Sequence, residues 1–163
     1  MVNVLFVCMG NICRSPAAQA IFQSFIKTEN LQDKIFVDSA GTIGYHEGDT
    51  ADPRMIEHAS KRKYNLDHLA RKIRKDDLQK FDYIITMDNE NFVNVRSLTD
   101  DINEQKKISK MTDYCKYYTA REVPDPYYGG AEGFEYVLDL LEDACYGLLE
   151  KIKQDFPELN GRD

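Results

Sequence analysis

The sequence predicts an α/β protein of three layers, a central four-stranded parallel sheet with helices on both faces and a phosphate-sized loop after the first strand. Three observations predict it. Short buried apolar runs alternate with stretches of helical periodicity along the whole chain. The first apolar run passes through a tight turn bearing glycine and asparagine directly into a helix start. The chain of 163 residues contains no internal repeat, low-complexity tract or domain-length linker. Strands that alternate with helices make right-handed parallel crossovers, and such sheets carry their sites at the carboxyl ends of the strands.

Taken in order, Val2-Asn3-Val4-Leu5-Phe6-Val7 is too short and too continuously apolar for anything but a buried strand. A helix follows from about Ser15 to Thr28, with Ala18, Ile21, Phe22, Phe25 and Ile26 on one face. Ser15 has the chemistry of an N-cap and a hydroxyl that can also hydrogen-bond the Cys8 sulfur, and Pro16 that of a first helical residue. Ile35-Phe36-Val37 is a second strand beside the first, running into Asp38-Ser39-Ala40-Gly41-Thr42. After a polar loop through Gly44, Tyr45, Gly48 and Asp49, Asp52-Pro53 starts a helix with Met55, Ile56 and Ala59 inward and Lys63 near that side. A basic loop leads to a short helix at Lys75-Asp76-Asp77-Leu78. Tyr83-Ile84-Ile85-Thr86-Met87 is a third strand, and Asp88-Asn89-Glu90-Asn91 starts a helix to about Leu98. Residues 99–107 are polar and read as loop, and Ile108 to Met111 as a fourth strand. Pro124-Asp125-Pro126-Tyr127-Tyr128-Gly129-Gly130 is a shaped loop, because two prolines and two glycines punctuate it. The strongest helix runs from about Ala131 to Gln154, its apolar residues falling at three- and four-residue steps without a break.

Composition narrows the function classes. With 42% hydrophobic and 30% charged residues the chain reads as globular. No apolar run approaches a membrane span and the N-terminus enters a strand directly, so no membrane association and a cytoplasmic location are expected. Four cysteines without a signal segment read as free thiols in a reducing compartment. A net charge of −7 argues against generic nucleic-acid binding, which rests on clustered Lys and Arg. The local exception is the basic stretch Lys61, Arg62, Lys63, Arg71, Lys72, Arg74 and Lys75, a solvated face or a surface for an acidic phosphoprotein. No Cys/His spacing suits a metal, and no cofactor is expected.

The chemistry concentrates in Cys8-Met9-Gly10-Asn11-Ile12-Cys13-Arg14-Ser15. Glycine and asparagine are the residue types that most readily take positive φ, so this turn can aim successive backbone N–H groups into one concavity. The helix N-terminus behind it adds unpaired donors and positive dipole, which together suit a phosphate dianion. Arg14 at the rim supplies a planar fork for two phosphate oxygens. The same positive environment favours the thiolate of Cys8, the nucleophilic form. A thiolate facing a phosphate ester suggests phosphoryl transfer to sulfur. The spacing alone means little, since Cys115-Lys116-Tyr117-Tyr118-Thr119-Ala120-Arg121 repeats it without glycine, preceding strand or helix start. Such chemistry also needs an acid for the departing oxygen, and Asp125, held between two prolines, is the best-placed candidate.

The string Val7-Cys8-Met9-Gly10-Asn11-Ile12-Cys13-Arg14-Ser15-Pro16 resembles the signature of the low-molecular-weight protein tyrosine phosphatases, and Asp125-Pro126-Tyr127-Tyr128-Gly129 resembles their acid loop. The resemblance spans Val2 to about residue 154, making residues 1–156 a single catalytic domain and 157–163 a C-terminal tail. It implies hydrolysis of phosphotyrosine or other aryl phosphate monoesters through a cysteinyl phosphate. Cys8 would be the nucleophile, Arg14 the phosphate clamp and Asp125 the general acid and then base. Met9, Gly10, Asn11, Ile12, Cys13 and Ser15 would surround the phosphate, with Tyr45, Tyr127 and Tyr128 around the substrate ring. Asn11, Ser39 and His68 would hold the loop in shape, with Asp88 a supporting carboxylate; His46 and His58 have no distinguishing feature. By the same resemblance Cys13 pairs reversibly with Cys8 under oxidation, a buried loop thiol being the other reading, and Tyr127 and Tyr128 can be phosphorylated. The implied partners are a phosphotyrosine protein or small aryl phosphate and inorganic phosphate or other oxyanions, the protein being a monomer or weak homodimer. Met9 departs from a common leucine, and residues 99–122 match nothing familiar.

Two rivals stand beside this reading. An arsenate reductase on the same scaffold needs relay cysteines after the third strand, where Thr86-Met87-Asp88-Asn89-Glu90-Asn91 has none. A non-catalytic phosphate-binding module would be expected to have lost Cys8, Arg14 or Asp125, and all three are present.

Overall fold

The computed structural model describes residues 1–161. Four strands, β1 (Val2–Cys8), β2 (Ile35–Gly41), β3 (Tyr83–Thr86) and β4 (Ile108–Lys110), form one sheet in the order β2-β1-β3-β4. Every neighbouring pair is parallel. Six helices intervene: α1 (Arg14–Thr28), α2 (Pro53–Lys61), α3 (Lys75–Lys80), α4 (Asn89–Arg96), α5 (Ile102–Gln105) and α6 (Ala131–Asp155).

Alternation along β1 separates the two buried faces of the sheet. Val2, Val4, Phe6 and Cys8 join the core under α1, α2 and α6, where Phe6 meets Phe22 edge-on at 5.7 Å. Leu5 and Val7 point the other way, into a smaller core with Leu78, Phe81, Ile84 and Val95. The central strand is thus buried on both sides, which explains its continuous apolar run, and its carboxyl end delivers Cys8 to the same edge where β2 and β3 end.

Several elements depart from expectation. Helix α1 begins at Arg14 and its N-cap is Cys13, so Ser15 does not cap it and Pro16 is its third residue. β2 continues to Gly41 because Asp38 through Gly41 keep parallel register with Leu5 through Cys8. The expected loop at 99–107 contains α5, whose four residues carry no apolar period; Asp101 caps it by accepting from the Asn103 and Glu104 amides. Lys63 lies beyond α2, exposed and at φ 70°. The basic stretch is partly neutralised within the fold, Arg62 pairing with Glu135, Asp139 and Glu142 and Arg71 with Asp38 and Asp77. Of the residues expected as a tail, Pro157–Asn160 form a 3-10 turn with Leu159 in the main core, while Arg162 and Asp163 lie outside the described residues. Among the described residues no helix is long and apolar enough to cross a membrane.

Candidate active site

Cys8 is the last residue of β1 and Arg14 the first of α1, so residues 9–13 must reverse the chain between a strand end and a helix N-terminus. Asn11 makes the reversal by adopting φ 60°, and its N–H donates to Cys8 Sγ at 3.3 Å. The loop is tied down from outside by the Thr42, Ile43 and Asp52 amides, which donate to the carbonyls of Cys8, Met9 and Ile12. Gly41 permits this approach: a Cβ there would stand 2.7 Å from the Met9 carbonyl oxygen.

Beneath the loop the Asn11 side chain uses its full hydrogen-bonding capacity. Its amide nitrogen donates to Ser15 Oγ at 2.8 Å and Ser39 Oγ at 3.0 Å. Its oxygen accepts from the Arg71 amide at 3.0 Å and pairs with His68 Nε2 at 2.9 Å, which requires the proton on Nε2. Burial holds the His68 imidazole below its usual range, against the opposing pull of Asp38. Ser39 in turn donates to Gln19 Oε1 at 2.6 Å. Because Ser15 Oγ already accepts from Asn11, its own proton is free to point at Cys8 Sγ, 3.0 Å away. Of the two roles expected for Ser15 the cap fails and the bond to sulfur forms, and a thiolate is the acceptor that uses both the Ser15 hydroxyl and the Asn11 amide.

Asn11→Ala removes four bonds and strands buried partners. It is expected to lower stability by about 1–3 kcal/mol, read as a reduced midpoint in urea unfolding, and to lower turnover of aryl phosphates at the same time.

Arg14 is 2% exposed, a wall of the site and not its rim. Nη1 donates to Asp88 Oδ2 at 2.6 Å and to the Val123 carbonyl at 3.0 Å, while Nη2 lies 3.6 Å from Asp125 Oδ2. Burial opposes its charge, but Cys8, Asp88 and Asp125 outweigh that cost and hold the guanidinium more firmly protonated than usual. Asp88 is itself fixed, since Oδ1 accepts from the Asn91 amide as the N-cap of α4. One carboxylate thus orients the arginine and starts a helix. Asp125 is oriented by its own loop, the Tyr127 N–H donating to Oδ1 at 3.0 Å.

These elements enclose a cavity of about 320 Å³. Cys8, Met9, Gly10, Ile12, Cys13 and Arg14 form its floor and lower wall, and Asp125, Tyr45, Tyr127 and Tyr128 reach it from two loops. Asn11 and Ser15 do not line the cavity; with Ser39, His68 and Asp88 they stand behind it. Two lining residues were not expected. Ile43 faces the cavity, and so does His46, whose ring lies over Gly10, meets Tyr45 edge-on at 4.8 Å and pairs with Asp49 at 3.2 Å. Also unforeseen is Arg54, stacked on Tyr127 with its guanidinium 5.2 Å from the ring centroid. The one sequence signal for His46 was its place next to Tyr45; Arg54 had none.

The four cysteines carry free thiols. Cys13 lines the cavity, and burial, reinforced by Asp52, Cys8 and Asp125, pushes its thiol far up. The spare motif follows a 3-10 turn instead of a strand, and burial and Asp143 push Cys115 up to about 12.

Residues 3–158 match the family model described as low molecular weight phosphotyrosine protein phosphatase. The chain belongs to this family. Among its relatives, a putative low molecular weight protein-tyrosine-phosphatase of Synechocystis sp. is 46% identical over 153 residues, covering 94% of this chain and 98% of the relative. The low molecular weight protein-tyrosine-phosphatase YfkJ of Bacillus subtilis is 41% identical over 156 residues, covering 95% and 98%. Of solved structures, the protein tyrosine phosphatase from Entamoeba histolytica with Hepes in its active site superposes at a TM-score of 0.93 with 44% identity, covering 95% of this chain and 99% of that one. The parallel sheet and its helices are the fold of these phosphatases, and this chain is a phosphatase of the low-molecular-weight tyrosine class.

Proposed function

We propose that this phosphatase hydrolyses phosphotyrosine through a cysteinyl phosphate built on Cys8, with Arg14 as phosphate clamp and Asp125 as general acid and base. The observation that carries the reading is the convergence of two donors on one sulfur, Ser15 Oγ at 3.0 Å and the Asn11 amide at 3.3 Å, on the floor of a cavity that also holds Arg14 and Asp125.

In the first step the Cys8 thiolate attacks phosphorus, the S–P bond forms and the P–O bond to the tyrosyl oxygen breaks. Asp125 delivers its proton to that oxygen, so phenol leaves in place of phenolate. The guanidinium of Arg14 and the loop amides receive the charge on the equatorial oxygens, where prepared donors act most strongly. In the second step Asp125, now a carboxylate, takes a proton from water, whose oxygen attacks phosphorus as the S–P bond breaks. Inorganic phosphate leaves and Cys8 is again a thiolate. Met9, Gly10, Ile12 and Cys13 contribute the phosphate cradle, and Tyr45, Tyr127 and Tyr128 give the cavity an aromatic entrance suited to a phenyl ring. Phosphotyrosine proteins and small aryl phosphates are the substrates, and inorganic phosphate is the product and a competing oxyanion.

Purified protein, kept reduced, is expected to release phosphate from an aryl phosphate at mildly acidic pH and to be inhibited competitively by phosphate. Binding of phosphate without any turnover would overturn the enzyme reading in favour of a binding module.

A further inference from the structure

The loop that carries Asp125 is irregular between Val123 and the start of α6, and two of its hydrogen bonds are internal: Tyr127 N–H to Asp125 and Gly129 N–H to Pro126. These shape the loop without fixing its height above the cradle. Arg54, on the first turn of α2, bridges that gap.

One side of its guanidinium is fastened to the cradle. Nε donates to Asp52 Oδ1 at 3.1 Å and Nη2 to Asp52 Oδ2 at 2.8 Å, a two-point pairing. Asp52 is itself 6% exposed, and its amide donates to the Ile12 carbonyl of the cradle at 2.8 Å. The Cζ of the same guanidinium lies over two rings, 5.2 Å from the centroid of Tyr127 and 4.9 Å from that of Phe134. Phe134 belongs to the core, being 1% exposed and stacked on His58 at 5.5 Å. Adjacent tyrosines of one loop consequently differ: Tyr127 is 38% exposed and Tyr128 89%. The contacts close a circuit from Ile12 through Asp52, Arg54, Tyr127 and Asp125 to Arg14.

We propose that Arg54 is a positioning residue for the acid loop, setting the Tyr127 ring against the cavity and, through the Tyr127 amide, the direction of the Asp125 carboxyl. The inference rests on the reading of Asp125 as general acid. The competing role is simpler: Arg54 could serve only to neutralise Asp52. A lysine would satisfy that role but has no plane to lay against two rings.

Arg54→Leu, Arg54→Lys and Asp125→Ala, singly and as double variants, are compared on two aryl phosphates, one with a good and one with a poor leaving group, alongside inhibition by inorganic phosphate and thermal unfolding. Both Arg54 variants are expected to lower kcat/KM for the poor leaving group, by up to about a hundredfold, while phosphate inhibition and kcat/KM for the good one change little. Arg54→Lys keeps a cation beside Asp52 and carries the test even where Arg54→Leu fails to fold. In the Asp125→Ala background neither Arg54 change should cost anything further for the poor leaving group, since the group being aimed is gone. An equal loss of kcat/KM for both esters, or losses that add to that of Asp125→Ala, would reduce Arg54 to a counter-ion and overturn the proposal. If Asp125→Ala itself does not discriminate between the esters, the assignment of the acid fails; if it discriminates and the Arg54 variants do not, only the positioning role fails.

Discussion

Cys8→Ser is expected to reduce turnover of aryl phosphates by about 10⁴-fold or more, the scale seen when an enzyme loses its nucleophile. The exchange is nearly isosteric, so the Ser15 hydroxyl and the Asn11 amide keep a partner and the loop keeps its shape. What disappears is the ionised sulfur. A serine hydroxyl would need a base within reach, and the donors around this position supply protons instead of removing them. Arg14 and the loop amides remain, so phosphate binding survives the change. Steady-state kinetics with a chromogenic ester and calorimetric titration with phosphate measure the two properties separately. Substantial residual activity would remove Cys8 as nucleophile, and simultaneous loss of phosphate binding would show that the substitution had damaged the cradle.

For Asp125→Ala the expected loss depends on the substrate. A positioned acid typically contributes about 10²–10⁴-fold, and that full factor is needed only when the departing oxygen is too basic to leave as an anion. In kcat/KM, which reports the steps up to release of the phenol, esters of poorly acidic phenols should therefore slow by this amount and esters of strongly acidic phenols by far less, while loss of the base from the second step lowers kcat for both. The carboxyl stands 3.6 Å from Arg14, so its removal leaves the phosphate clamp intact and even less encumbered. Phosphate affinity should accordingly be kept or improved. An equal fall in kcat/KM for all leaving groups would show that Asp125 shapes the cavity without donating a proton.

Much of this architecture was legible because its determinants are local. The run from Val2, the turn residues Gly10 and Asn11 and the periodic face of α6 each state their structure within a few neighbours. Ser15 is legible by half: Ser-Pro is good capping grammar, but the chain is already helical at Arg14, so the cap fails and only the bond to Cys8 forms. Helix α5 was missed because four residues cannot show a period, only a cap at Asp101. Asp125 could be chosen from its prolines and its resemblance, whereas His46 had only its place next to Tyr45, and Gln19 and Arg54 could not be chosen at all. Their significance comes from partners brought near by folding: Gly10 for His46, Ser39 for Gln19, and Tyr127 with Phe134 for Arg54. The basic stretch misled in the same way, since its apparent surplus of charge shrinks once Arg62 and Arg71 meet their carboxylates.

The most direct measurement of the central claim is to trap the intermediate. Reduced enzyme mixed with an aryl phosphate of good leaving group, quenched in acid within one turnover and analysed by peptide mass, should carry one added phosphoryl group on the peptide containing Cys8, present early and discharged as water completes the cycle. Turnover at full rate with phosphate never found on Cys8, or found on another residue, would contradict the account.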